Sequence, residues 1–262
     1  MQSFYVTLAN VYVIPHGDEL IDVPDQESRK MQDMIRSLAR SDGSETVVIL
    51  SPHGIRISDS VGVVTTEYSK GDQVFGRKRV RRRFRNDVSL ATEIAGSIPG
   101  FTRSVSFITS SGPKSEFPLD FGTLIPLSFF KPERVVLIGQ PRVRDREKLM
   151  RFGRALYSAV SGRNYGVSVI FSADQAHTHA RDGPYGYSES AAEYESIVIG
   201  AIKSNDFSSL SKITDKMIGE AKPDSFWNMM ILKGFIEASR ISLVYDFNYV
   251  EHYFGMLLAH SA

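Results

Sequence analysis

The sequence predicts a single α/β domain with a central, mostly parallel or mixed sheet flanked by helices. Three observations carry this. Short, uninterrupted apolar runs recur along the chain, the pattern of strands covered on both faces. Helix-periodic segments separate several of them, as βαβ units require. The 262 residues are 42% hydrophobic and 23% charged, enough to bury one large core without cross-links. No repeat, low-complexity tract or dividing linker interrupts the chain, so residues 1–262 are read as one domain.

In order, Val6–Ile14 is apolar, β-branched and ends at Pro15, a buried strand. Met31, Met34, Ile35 and Leu38 share one helical face and predict a helix ending near Gly43. Thr46–Leu50 is the next strand, stopped by Ser51 and Pro52. Val63–Thr66 and Val105–Thr109 read as strands of the middle region. Arg134–Ile138 is another, closed by Gly139. Leu149, Phe152, Leu156 and Val160 mark a helix closed by Gly162, and Val167–Phe171 is a further strand. Helices are expected at Ser188–Lys203, Phe207–Ile218 and Asp224–Ser239.

Composition excludes several functions. A net charge of +1 gives no global attraction to nucleic acid or to an anionic membrane. No apolar run approaches the roughly 18 residues that cross a bilayer, and Met1–Pro15 lacks a signal-peptide pattern. With no cysteine, neither disulfide nor thiolate chemistry is available. A cytoplasmic protein is expected. The basic run Arg77–Arg85 has only Val80 and Phe84 interleaved, and reads as solvated arginines, or a contact to an acidic substrate or a subunit, rather than a phosphate-tracking surface. Dinucleotide-binding, P-loop and Gly-x-Ser-x-Gly signatures are absent.

The histidines point elsewhere. Of the six, His16 directly follows the first strand and His53 the second, while His177 and His179 follow Val167–Phe171. Ligands of open α/β sheets bind at the carboxyl ends of parallel strands. A single strand-end histidine is ordinarily a satisfied loop residue; three strands delivering imidazoles to one edge favour a shared metal site. Imidazole with carboxylate suits iron or zinc. The carboxylate candidates are Asp224, Glu220 and Asp18. Asp224 follows Pro223 at an expected helix start, where capping is the ordinary role of such a residue. His252 and His260 are assigned no chemistry.

Several segments resemble the class III, LigB-type extradiol ring-cleavage dioxygenases, in order and over nearly the whole chain. They are IPHG at His16, SPHG at His53, DFGTLIPLSFF at Asp120–Phe130, SADQAHTHARDGPYGY at Ser172–Tyr187 and YFGMLLA at Tyr253–Ala259. The resemblance implies a 2-His-1-carboxylate site of His16, His53 and Asp224 holding Fe(II), with Zn(II) as the alternative ion. It implies that His177 is the catalytic acid and base, suited to a diol that must lose protons. The implied partners are a small aromatic diol and dioxygen.

One position departs from the family pattern. Family members commonly carry Asp-His-Gly where this chain reads Asp120-Phe121-Gly122. Phe121 can shape a pocket but moves no proton. Phe121, Tyr185 and His179 are the expected pocket residues. Two other readings follow from the departure: another metal-dependent reaction on the same scaffold, or a non-catalytic protein whose pocket recognises a partner. A homo-oligomer is an expectation from the commonness of symmetric assemblies alone.

Overall fold

The computed structural model describes residues 8–262. The first strand, β1, spans Leu8–Ile14, so Val6 and Thr7 of the expected strand lie outside the described residues. After it come α1 (Glu19–Asp22), α2 (Gln26–Ser41), β2 (Thr46–Ser51), β3 (Val61–Val64), β4 (Tyr68–Phe75) and β5 (Lys78–Asn86). The middle of the chain holds α3 (Val88–Gly96), β6 (Thr102–Val105), β7 (Glu116–Pro118), α4 (Phe121–Leu127) and β8 (Arg134–Gly139). The last part holds α5 (Arg146–Ser161), β9 (Val167–Ser172), α6 (Ser190–Ser204), α7 (Asp215–Ala221), α8 (Phe226–Ser239), β10 (Leu243–Glu251) and β11 (Phe254–Ser261).

Strands follow the order β10-β11-β1-β9-β2-β8-β5-β4-β7, with β3 joining β6 to β8 beside this path. The centre, β1-β9-β2-β8, is parallel throughout, and antiparallel pairs flank it at β11-β1 and β4-β5. The α/β class with a mixed sheet is therefore as expected from the sequence. Because strand side chains alternate between faces, the central strands feed two cores. Val11, Val13, Val48, Leu50, Val136 and Ile138 pack under α3, α5, α6 and α8, while Tyr12, Ile14, Val47, Ile49, Val135 and Leu137 pack under α2 and α4. Helices α5 and α8 meet at reciprocal glycines. A Cβ on Gly153 would strike the Ile231 carbonyl, and one on Gly234 the Met150 backbone.

Some boundaries move. The strands expected at Val63–Thr66 and Val105–Thr109 lie earlier, at Val61–Val64 and Thr102–Val105, where the two pair in parallel and end together at Val64 and Val105. The helix expected over Phe207–Ile218 breaks into a 3-10 turn at Phe207–Lys212 and α7, whose first turn is capped by the Thr214 hydroxyl on Met217 N at 3.1 Å. The basic run forms β5 of a hairpin. Val80 and Phe84 face the core while Arg79 and Arg81 pair with Asp72, and Arg83 pairs with Glu116. Two carboxylates, Asp72 and Glu116, thus hold three of the seven cations of this run in place. Among the described residues no helix is long and apolar enough to cross a membrane.

Candidate metal centre

The parallel strand ends build the site. His16 stands two residues beyond β1 and His53 two beyond β2, each after a proline that ends its strand. Asp224 lies on the turn just before α8, which is fastened over those ends. Asn228 donates from its side-chain amide to the carbonyls of Leu50 (3.2 Å) and Ser172 (2.7 Å). The Gln140 side chain, just past β8, donates to the Asp224 carbonyl at 2.7 Å. Ser225 turns inward, donating to Gln175 Oε1 at 3.0 Å and meeting the Tyr194 hydroxyl at 2.8 Å. Neighbouring residues of one turn thus face opposite ways, Ser225 into the core and Asp224 towards the histidines.

His16 Nε2, His53 Nε2 and Asp224 Oδ2 form a nearly equilateral triangle. Its sides are 3.1 Å between the imidazoles, 3.2 Å from His16 to Asp224 and 3.3 Å from His53 to Asp224. Donors about 2.1 Å from one ion stand about 3.0 Å apart at a right angle and about 3.4 Å apart at the tetrahedral angle. The observed sides fall between these limits. Asp224 Oδ1 is buried without a hydrogen-bond partner, and its fellow oxygen is directed at the two rings rather than at the α8 amides. The capping role therefore does not describe this carboxylate. Among the described residues, these three form the cluster able to hold a metal ion, and the donor set fits one.

Supporting contacts fix the ligands. Ser172 Oγ gives its proton to the Gly122 carbonyl at 2.6 Å, so towards His16 Nδ1, 2.9 Å away, it accepts. His16 then carries a proton on Nδ1 and presents the Nε2 lone pair, the arrangement metal-bound histidines need. Asp174 Oδ1 accepts from the His16 amide at 2.8 Å, with Oδ2 3.4 Å from Nε2. Burial pulls the His16 pKa down, but the carboxylates of Asp174 and Asp224 outweigh it and lift the value to about 9. Burial would raise Asp224, yet the facing His16 and His53 hold it below the ordinary carboxylate range. A cation replacing the His16 proton keeps that balance of charge.

The triangle opens onto a cavity of about 320 Å³, bounded in part by Glu19, Phe121, Asp174, His177, Tyr185 and Phe254. Phe121, at the start of α4, lies 4.2 Å from the His53 ring and 5.6 Å from His16, centroid to centroid. His177 is stacked on Phe254 at 5.7 Å, with Tyr185 edge-on at 6.0 Å, and its Nδ1 is buried without a partner. His179 turns away from the cavity to Glu195, Nε2 to Oε1 2.7 Å, and lines no part of the cleft. Glu220 accepts from Ser190 and Asp18 lies on the cavity rim; neither joins the triangle. The sequence reading missed Ser172, Asp174 and Phe254. The Ser-Ala-Asp run after the VSVIF strand was the available signal for the first two, and the YFGMLLA segment that for Phe254.

The family described as "Catalytic LigB subunit of aromatic ring-opening dioxygenase" matches residues 10–259. The chain is 23% identical over 252 residues to Protein CA_C1420 of Clostridium acetobutylicum, covering 90% of this chain and 53% of that protein. It thus spans about half the length of that curated relative. In fold it is similar to an uncharacterized protein, JW3007, from Escherichia coli K12, with a TM-score of 0.69 and 12% identity over 97% of this chain and 100% of the other. The chain belongs to the family of catalytic LigB subunits of aromatic ring-opening dioxygenases.

Proposed function

We propose that this protein is a mononuclear non-haem Fe(II) enzyme that opens a catecholic ring beside the diol with dioxygen. The observation that carries the reading is the triangle of His16, His53 and Asp224 with one face towards an aromatic-walled cavity. Two histidines and one carboxylate on one face, with the other side free, are the donor set of oxygen-using iron sites; Zn(II) is the alternative ion. A bound ion there would supply Lewis acidity and electron exchange with dioxygen.

The chain's own residues supply the rest. His177, on the cavity wall, takes a proton from the diol and returns one later, while Phe254 fixes its ring plane. Tyr185 and Phe121 hold the substrate ring and exclude water. Phe121 favours a second reading, metal-dependent chemistry on a different substrate, because it removes a proton-transfer group beside His53. A purely recognition role for the pocket is the third.

Iron-loaded protein, assayed with an oxygen electrode against a broad panel of catechols, separates these readings. Oxygen uptake equal to catechol loss, abolished in His177→Asn, is expected. Verified iron occupancy with no uptake from any catechol overturns ring cleavage.

A further inference from the structure

Just past β8, Arg142 presents a guanidinium that makes no ion pair and accepts no carboxylate among the described residues. Its Nε is buried without a hydrogen-bond partner. Its guanidinium carbon sits 4.9 Å from the centre of the Trp227 ring, which holds the planar group in one orientation. Trp227 is itself fixed, donating from Nε1 to the Val143 carbonyl at 3.1 Å. Arg142 is half-buried, and an oriented cation with no ion-pair partner favours a ligand that supplies the opposite charge.

Arg142 lines a second cavity, about 360 Å³, whose wall includes His53, His177, Tyr185, Lys222 and Asp224. Four of these, all but Lys222, also line the cavity onto which the triangle opens. The two spaces are therefore lobes about one set of residues. Lys222 adds a second cation to the wall of this lobe; Arg56 lies close enough to repel Arg142, and Asp224 to attract it without an ion-pair contact. The opposite lobe carries Asp18, Glu19 and Asp174. The cleft is thus polarised, acidic at one end and cationic at the other.

We propose that Arg142, backed by Lys222, is the anion-binding subsite of this cleft, receiving a carboxylate or phosphate of a substrate whose ring lies against His177 and Tyr185. The planar fork of a guanidinium matches a two-oxygen anion, and Arg142 lies on the wall of the lobe with Trp227 against its guanidinium. This specifies the substrate class for the function proposed above and rests on it for the identity of the reacting ring; binding of the anion does not depend on turnover.

Trp227 is the sole tryptophan and lies against Arg142, so its emission reports the subsite directly. Full-length protein is titrated with benzoate, its neutral isostere benzamide, and inorganic phosphate. Saturable change with benzoate and at least tenfold weaker response to benzamide are expected. Phosphate binding as well as benzoate identifies a general oxyanion site, and benzoate alone identifies a carboxylate site. Arg142→Met, which removes the guanidinium and keeps an unbranched stem, should lose at least tenfold in benzoate affinity, and Arg142→Lys should recover part of it. Equal binding of benzoate and benzamide, or unchanged benzoate affinity in Arg142→Met, overturns the proposal. In oxygen uptake, a carboxylated catechol should show a KM raised at least tenfold by Arg142→Met with kcat little altered, and unsubstituted catechol no change. Benzoate binding through Arg142 without any oxygen uptake would retain the subsite and reject ring cleavage.

Discussion

The Ser172 hydroxyl sets the protonation of His16: it donates to the Gly122 carbonyl at 2.6 Å and faces His16 Nδ1 at 2.9 Å as an acceptor. A single hydroxyl at the end of β9 thus ties the start of α4 to the ligand after β1. Ser172→Ala should weaken metal binding by about 10- to 100-fold, read by competition with a chelator. The fold should survive with a loss of about 1–3 kcal/mol from the groups left unpaired. Unchanged metal affinity would show that Ser172 does not orient the ligand.

Phe121 lies 4.2 Å from the His53 ring, at the position where the sequence resemblance leads one to expect histidine. Phe121→His places a proton-transfer group there. If its absence limits ring opening, catechol turnover should rise at least about tenfold, within the range of general acid–base catalysis. Oxygen uptake at equal iron content is the measurement. No gain would mean that Phe121 is not the barrier.

Acidity of the opposite lobe gives a pH dependence. Burial pushes the Glu19 carboxyl up to about 7; a backbone hydrogen bond opposes this, and the negative Glu251, Asp174 and Asp18 add to it. The folded state therefore holds this proton over a range where the unfolded chain, titrating near 4.5, has lost it. Metal-free protein should lose stability as pH rises from about 4.5 through about 7. Glu19→Gln should flatten that slope in denaturant titrations. A parallel pH dependence in the variant would exclude Glu19 as its source.

Gly153 and Gly234 allow α5 and α8 to touch backbone to backbone. Gly153→Ala places a methyl against the Ile231 carbonyl and should cost about 1–3 kcal/mol, despite alanine's better helix propensity. Thermal unfolding should show a Tm lower by several degrees. Since α8 begins just after Asp224, metal affinity should fall as well. A higher Tm would mean that the helices separate without penalty.

Much of the parallel centre and of the histidine pair is legible in the sequence. Val11–Ile14, Thr46–Leu50, Arg134–Ile138 and Val167–Phe171 are apolar on both faces, so their burial in a parallel centre follows from composition. His16 and His53 were readable because their position after such strands fixes the edge they occupy. The hairpin of β4 and β5 was not, since Arg79, Arg81 and Arg83 hide a two-residue alternation in which only Val80 and Phe84 are apolar. Nor was the direction of Asp224. Its sequence context suits a helix cap, and only the long-range ties of Asn228 and Gln140 turn it to the histidines. His179 shows the converse, a strand-end histidine drawn off by Glu195, 16 residues on in the chain.

The most direct test is an anomalous-scattering map from crystals grown with Fe(II) under anaerobic conditions. One peak is expected about 2.0–2.2 Å from His16 Nε2, His53 Nε2 and Asp224 Oδ2 together, and none in Asp224→Ala. A peak held by other residues, or none at saturating iron, would contradict the account.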